Sequence, residues 1–275
     1  TAFILMDLPH VPALDAPLFG VFLVVYVLTV LGNLLILLVI RVYSHLHTPK
    51  YYFLTNLSFI DLWFFTVMVP KMPRTLLSLC GKAVSFHSCM TQLYFFYFLG
   101  STECFLYTVM SYDRYLAISY PLRYTNMMTG RSCALLATGT WLSGSLHSAI
   151  QTTLTFRLPY CGPNQIQHYF CDAPPILKLA CADTWINEIF VFAGGVFVLV
   201  GPLSLILVSY MHILGAILKI QTKEGRIKAF STCSSHLCVV GLFFGIAMVV
   251  YIVPDSNQRE EQEKMLSLFH SVLNP

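Results

Sequence analysis

The sequence predicts an all-α membrane protein: a seven-transmembrane-helix bundle forming one domain over residues 1–275. Three observations lead there. First, 56% of the 275 residues are hydrophobic and only 11% are charged, with a mean hydropathy of +0.69. In an ordinary soluble domain the charged share is about a quarter. Second, the apolar residues gather in seven runs, at about 17–41, 51–72, 89–115, 132–156, 185–220, 226–253 and 263–275. Most are near the roughly 20 residues that cross a bilayer. Third, basic residues concentrate in alternate connections between the runs. One set carries Arg41, Lys50, Arg114, Arg123, Arg131, Lys219, Lys223, Arg226 and Lys228 against Asp113 and Glu224, while acids such as Asp7, Asp15, Asp172, Asp183 and Glu188 fall in the other. Basic loops stay on the cytoplasmic side, so the N-terminus is expected outside. The last run is short and stops at Asn274-Pro275, so the chain is expected to be cut inside its seventh helix. Residues 1–18 lack the basic-then-apolar pattern of a cleavable signal peptide. The basic inner face suits anionic lipid or an acidic protein partner, and no nucleic-acid partner is expected.

The first run contains Gly32-Asn33, an amide at membrane depth, which reads as interhelical glue. In the second run Asn56-Leu57-Ser58 matches the glycosylation pattern but lies inside the span, out of reach of modification. Asp61 in the second run and Glu103 in the third are acids at membrane depth. Carboxyl groups there are expensive and default to a functional reading. Two on facing helices suit a small hard cation such as sodium, with a hydrogen-bonded neutral pair as the alternative.

At the end of the third run stands Met110-Ser111-Tyr112-Asp113-Arg114-Tyr115-Leu116-Ala117-Ile118. At a membrane edge the Arg114 stem can lie in hydrocarbon with its head in polar ground, and Asp113 can hold the guanidinium by a charge-assisted contact. Such a pair is either an anchor or a switch. The connection over 157–183 holds Cys161, Cys171 and Cys181, and Cys89 opens the third run on the same side. On an outward face these four are expected to form disulfides, with three pairings open. Cys233, His236 and Cys238 invite a metal reading, but five residues at 100° each leave Cys238 about 140° round the helix from Cys233. Ser231, Ser235 and His212 hint at hydrolase chemistry, yet no oxyanion hole or ordered third group accompanies them; no enzyme is expected.

Four strings carry a resemblance. The Asp113-Arg114 stretch with Pro121-Leu122-Arg123-Tyr124 is similar to MAYDRYVAICxPLxY, departing at Ser111, Leu116 and Ser119. His45 to Leu54 is similar to LHTPMYxFL, with Lys50 in place of Met. Tyr169-Phe170-Cys171-Asp172 resembles HFFCD, and Lys228 to Leu237 resembles KAFSTCxSHL. All four are wordings of odorant receptors, a branch of the rhodopsin-like G-protein-coupled receptors, and the long outer loop and KAFSTC string fit the larger land-vertebrate class (class II).

The resemblance implies a multi-pass plasma-membrane receptor, in olfactory cilia, that binds a small volatile organic ligand inside the helix bundle. It implies coupling to a stimulatory heterotrimeric G protein that raises cyclic AMP, with a transporter or ligand-gated channel as the alternative. It selects Cys89–Cys171 and leaves Cys161–Cys181. It places sodium at Asp61 with the added acid Glu103; to these the ion reading adds Ser271 as a third ligand and Asn33 and Asn274 as an outer shell. The coupling switch would comprise Asp113, Arg114 and Tyr115, with Tyr210 receiving Arg114 on activation and Arg123 and Lys228 flanking the opening. With helix spacing, it places Phe96, Tyr97, Gly100, Ser101 and Cys104 of the third span in the pocket. Val191, Gly194, Gly195 and Val198 of the fifth join them, as do Phe244, Ala247, Met248 and Tyr251 of the sixth. Aromatic walls and the absence of Lys, Arg or Asp at the level of Tyr97 to Ser101 make the expected ligand small, neutral and preferably aromatic.

Overall fold

The structure is a computed structural model, and it describes residues 2–5, 12–68, 83–161, 165–166 and 171–251. The seventh run, with Ser271 and Asn274, lies outside the described residues, as do the side chains of Lys228 and Tyr251.

Six long helices carry the first six runs: α1 (Pro12–Val42), α2 (Pro49–Met68), α3 (Phe86–Ser119), α5 (Gly130–Phe156), α7 (Trp185–Leu218) and α8 (Lys223–Tyr251). Two short helices sit in the connections, α4 (Pro121–Met127) and α6 (Ala173–Leu177). Local chemistry sets their ends. The Ser85 hydroxyl accepts from the Ser88 amide 3.2 Å away and starts α3; Thr129 does the same for Ser132 at 3.2 Å and starts α5. Pro121, whose missing N–H matters least in a first turn, closes the chain after Tyr120 and opens α4.

By length and composition α1, α7 and α8 are each apolar enough to cross a membrane, over Leu23–Val42, Trp185–Leu218 and Lys223–Met248. The other long helices are more polar because they turn polar side chains inward: Ser58 and Asp61 on α2, Gln92, Ser101, Thr102, Glu103, Ser111 and Asp113 on α3, and Thr140, Ser148, Gln151, Thr152 and Thr155 on α5 are all buried. Meanwhile Leu28, Leu35 and Leu38 on α1 and Phe192, Phe197 and Met211 on α7 are exposed. Polar groups within and apolar groups without is the reverse of a water-soluble domain, and it fits a lipid surround. The central helix is α3, which packs against α2, α5, α7 and α8. Gly144 makes the α3–α5 contact possible. A Cβ there would collide with the Thr102 hydroxyl and stand 3.0 Å from the Phe98 carbonyl oxygen.

The all-α expectation needs one correction. β1 (Ala2–Leu5) is the middle strand of a three-stranded sheet, antiparallel to β2 (Ala83–Ser85) and parallel to β3 (Gln165–Ile166). A long apolar chain draws attention to its spans, and these strands are two to four residues long. Their cause is Phe3, only 1% exposed, which packs with Cys89, Ile166, Cys171 and Ile176. Its ring lies 6.1 Å from Phe86 and 5.7 Å from Tyr160. This second apolar cluster caps the end of the bundle that carries the cysteines.

Candidate functional site

The capped end is built around two bridges. Cys89 is joined to Cys171 with Cα atoms 5.5 Å apart, tying the start of α3 to the residue before α6. Cys161 is joined to Cys181 at 5.9 Å within the long connection, where Tyr160 and Ala180 also pair. Asp172, next to the first bridge, is the N-cap of α6, and its Oδ1 accepts from the Ala173 amide at 2.7 Å. The same oxygen accepts from the Tyr97 hydroxyl at 3.1 Å, so the connection is pinned to α3. Burial pushes the Asp172 carboxyl up to about 6, against the pull of those two hydrogen bonds. The sequence reading placed no acid near Tyr97; it missed Asp172 because the contact spans 75 positions.

Beneath this cap lie the candidate pocket residues. On α3, Phe96, Tyr97 and Gly100 are partly open, while Ser101 and Cys104 are buried. Cys104, Val198, Phe244 and Ala247 share one apolar cluster, with Phe96 packed against it, and Met248 is half-buried beside Ala247 on α8. A Cβ on Gly100 or Gly195 would meet nothing within 4 Å, so both positions border open space; Val191 is half-buried. Gly194 differs from the expectation. Its missing side chain makes room for Gln151 and His147 of α5, since a Cβ would collide with Gln151 Nε2 and stand 2.8 Å from His147 Nε2. Ser101 also turns to α5, with Oγ 2.8 Å from His147 Nδ1. The sequence reading missed the contact of α5 with Ser101 and Gly194, although His147 and Gln151 at i and i+4 are a visible polar pair in an apolar run.

Midway down the bundle, Asp61 and Glu103 are 3% and 1% exposed and close enough for their charges to interact. The Tyr107 hydroxyl donates to Glu103 Oε1 at 3.2 Å. Two buried carboxylates and a hydroxyl make an oxygen-rich donor set that suits a hard cation. Among the described residues Asn33 bonds within its own helix, its Nδ2 donating to Thr29 O at 3.1 Å. Asn56 takes the interhelical role instead, its Oδ1 accepting from Trp141 Nε1 at 3.1 Å.

At the opposite end the expected Asp113–Arg114 contact is not formed. The Asp113 carboxylate, 2% exposed, accepts from the Tyr124 hydroxyl of α4 at 2.7 Å. Consecutive residues on a helix point about 100° apart, and here the Asp113 side chain turns to Tyr124 rather than to its neighbour. Burial, and then the Asp113 carboxylate, push the Tyr124 hydroxyl above its ordinary value. Tyr115 packs against Tyr120 and His212, and Arg123 is exposed. Tyr210 of α7 pairs with α8: its hydroxyl lies 2.7 Å from His236 Nδ1, with the rings nearly parallel. His236 of the Ser-His-Leu string thus ties α8 to Tyr210 of α7, a contact the sequence reading did not foresee. Cys233 is buried and Cys238 exposed, on different faces of α8.

A family model described as "Olfactory receptor" matches residues 22–269. Among curated proteins, Olfactory receptor 10G7 of Homo sapiens is 71% identical over 275 residues, all of this chain and 88% of that protein. Olfactory receptor 10G9 of Homo sapiens is 69% identical over the same span and shares. Olfactory receptor 2A2 of Homo sapiens is 60% identical over 264 residues, 96% of this chain and 83% of that protein. With the buried polar interior and the lipid-suited exterior, these similarities establish that the chain belongs to the olfactory receptor family.

Proposed function

We propose that this odorant receptor binds a small, neutral, preferably aromatic volatile between α3, α7 and α8, and that binding activates a stimulatory heterotrimeric G protein to raise cyclic AMP. The observation that carries the reading is the partly open face of Phe96, Tyr97 and Gly100 directly beneath the Cys171–Asp172 cap. Aromatic and aliphatic walls there would supply most of the affinity, at roughly 25 cal/mol per Å² of apolar surface buried. The cysteine-bearing end faces outward, where disulfides persist, and the Arg114 end faces the cytoplasm and the G protein.

Activation is an equilibrium between two helix arrangements that ligand and G protein both bias. In the arrangement seen, Tyr210 is held by His236 and Asp113 by Tyr124. Swinging the lower end of α8 outward would part Tyr210 from His236 and leave its hydroxyl for Arg114. A sodium ion at Asp61 and Glu103, with Ser271 as a third ligand, would hold the resting arrangement, neutralising two acids in a low-dielectric interior.

A cyclic AMP reporter screen against a chemically diverse volatile panel tests the proposal. Responses that vanish without the G protein support it. A ligand-gated current that persists without G protein would favour a channel instead.

A further inference from the structure

Resting on that pocket, we infer that Gln151 and His147 of α5 fix Ser101 as a hydrogen-bond donor toward the ligand, so that this receptor selects odorants carrying a carbonyl or ether oxygen over the matching alcohols.

The argument follows the protons. Gln151 is 2% exposed, and its Nε2 lies 2.9 Å from the Phe190 carbonyl oxygen of α7. Only the amide nitrogen can face a carbonyl oxygen, so the amide is not free to turn over. Its Oε1 accordingly stays buried without a partner among the described residues. The same Nε2 lies 3.5 Å from His147 Nε2. An amide nitrogen is a donor only, so a proton on His147 Nε2 would set two N–H groups against each other. His147 Nε2 is therefore the acceptor, and the ring carries its proton on Nδ1. That Nδ1–H points at Ser101 Oγ, 2.8 Å away, so Ser101 receives a hydrogen bond and keeps its own hydrogen to give.

The neighbours of Ser101 sharpen the point. Thr102, Thr108 and Ser111 turn their hydroxyls back onto the carbonyls of Phe98, Cys104 and Tyr107. Ser101 instead bonds across to α5, and Gly100 beside it borders open space. The pair on α5 is fixed in place, with Gly194 of α7 packed on both side chains and the Tyr97 ring edge-on to His147 at 6.0 Å. Gln151 and His147 are positioning residues, and Ser101 touches the ligand.

A carbonyl accepts the Ser101 hydrogen and is satisfied. An alcohol can accept it too, but its own hydrogen then faces the apolar cluster of Cys104, Val198, Phe244 and Ala247, and a buried unpaired donor is costly. Reversing the relay should reverse the preference. In Gln151→Glu a protonated carboxyl gives its hydrogen to Phe190, and the same oxygen accepts from His147. That draws the ring proton to Nε2, makes Nδ1 the acceptor, takes up the Ser101 hydrogen, and leaves the pocket an acceptor.

The test uses matched probes, acetophenone with 1-phenylethanol and benzaldehyde with benzyl alcohol, read as cyclic AMP dose–response at equal surface expression. Wild-type receptor should favour each carbonyl by about tenfold, equivalent to about 1.4 kcal/mol. Ser101→Ala should bring each pair to parity, and Gln151→Glu should favour the alcohols; a loss of structure alone would lower both members together. Equal or better responses to the alcohols in wild type overturn the inference. So does silence toward both pairs in a receptor that answers other volatiles, which leaves the receptor reading intact. Silence toward the whole volatile panel overturns both.

Discussion

Tyr124 donates its hydroxyl to Asp113 across 2.7 Å, and Arg114, the next residue of α3, has no ion pair with that carboxylate among the described residues. The acid and base that read as a pair along the chain are separate devices in space. Asp113 anchors α4 to α3, and Arg114 takes no part in that anchor. Asp113→Asn should loosen that anchor and raise basal cyclic AMP, and Tyr124→Phe should reproduce much of the rise. A hydrogen bond to a charged group contributes about 1.5–3 kcal/mol. Arg114→Ala should abolish coupling and spare ligand binding. Full agonist-driven cyclic AMP from a surface-expressed Arg114→Ala receptor would refute the assignment.

The Tyr210–His236 contact makes a separate prediction, because it joins α7 to α8 where the bundle would open. His236→Phe keeps a ring and removes Tyr210's partner in a 2.7 Å bond. A neutral bond of this kind contributes roughly 0.5–1.5 kcal/mol, so the resting state should lose severalfold in population and basal signalling should rise. Unchanged basal signalling at matched expression would show that the contact does not restrain activation.

The bridges should differ in consequence. Cys89–Cys171 closes 82 positions and Cys161–Cys181 closes 20, and a longer closed loop stabilises more, within a typical range of about 2–4 kcal/mol. Cys89→Ala should also release Asp172 from Tyr97, so its loss of surface expression should exceed that of Cys161→Ala. Peptide mapping under non-reducing conditions that found Cys89 linked to Cys161 would contradict the pairing.

Asp172 adds a pH dependence at the same cap. Its folded value, about 6, lies above the ordinary 3.8, so the folded state binds the proton more tightly than the unfolded one. The resulting stabilisation is complete below the ordinary value and is lost as pH rises through about 6. Its upper limit is on the order of 3 kcal/mol. Thermal unfolding of purified receptor should show Tm falling between about pH 4 and pH 6, and Asp172→Asn should flatten that slope. The same slope in both proteins would exclude Asp172 as its source.

What the sequence disclosed depended on how local the cause was. The six described long helices come from hydrophobic runs and end at caps such as Ser85 and Thr129, signals contained within a few residues. Cys89 and Cys171 could be paired through a family string, although four cysteines alone leave three pairings. The polar contacts were harder. Ser101 meets His147 across the α3–α5 contact that Gly144 allows, and Asp172 meets Tyr97 from a connection that the Cys89–Cys171 bridge ties to α3. At Asp113-Arg114 the acid turns to Tyr124, 11 positions on, rather than to the base beside it. The sheet escaped notice because Phe3 is held by rings and a disulfide from distant segments rather than by any periodicity of its own.

Ligand charge follows from the same contacts. Among the described residues no Lys or Arg stands at the level of Tyr97, Gly100 and Ser101, so a carboxylate entering the proposed pocket would shed water without gaining a cation, at a cost of several kcal/mol. Asp172 makes the entry worse. Its carboxyl meets Tyr97 at the roof, and above about pH 6 it is negatively charged. Short carboxylic acids should therefore be silent at neutral pH while neutral aromatics of similar size activate. If the Tyr251 hydroxyl is used as well, Tyr251→Phe should weaken a neutral agonist by about tenfold, since 1.4 kcal/mol is one decade. The decisive comparison is benzoic acid against benzaldehyde at pH 7.4, in wild type and in Asp172→Asn. Benzaldehyde alone should act on wild type, and the acid should gain slightly in the variant, where one like charge is gone. A wild-type receptor that answers benzoic acid and ignores benzaldehyde would mean that a cation faces the ligand, and that the pocket lies elsewhere than beneath Asp172.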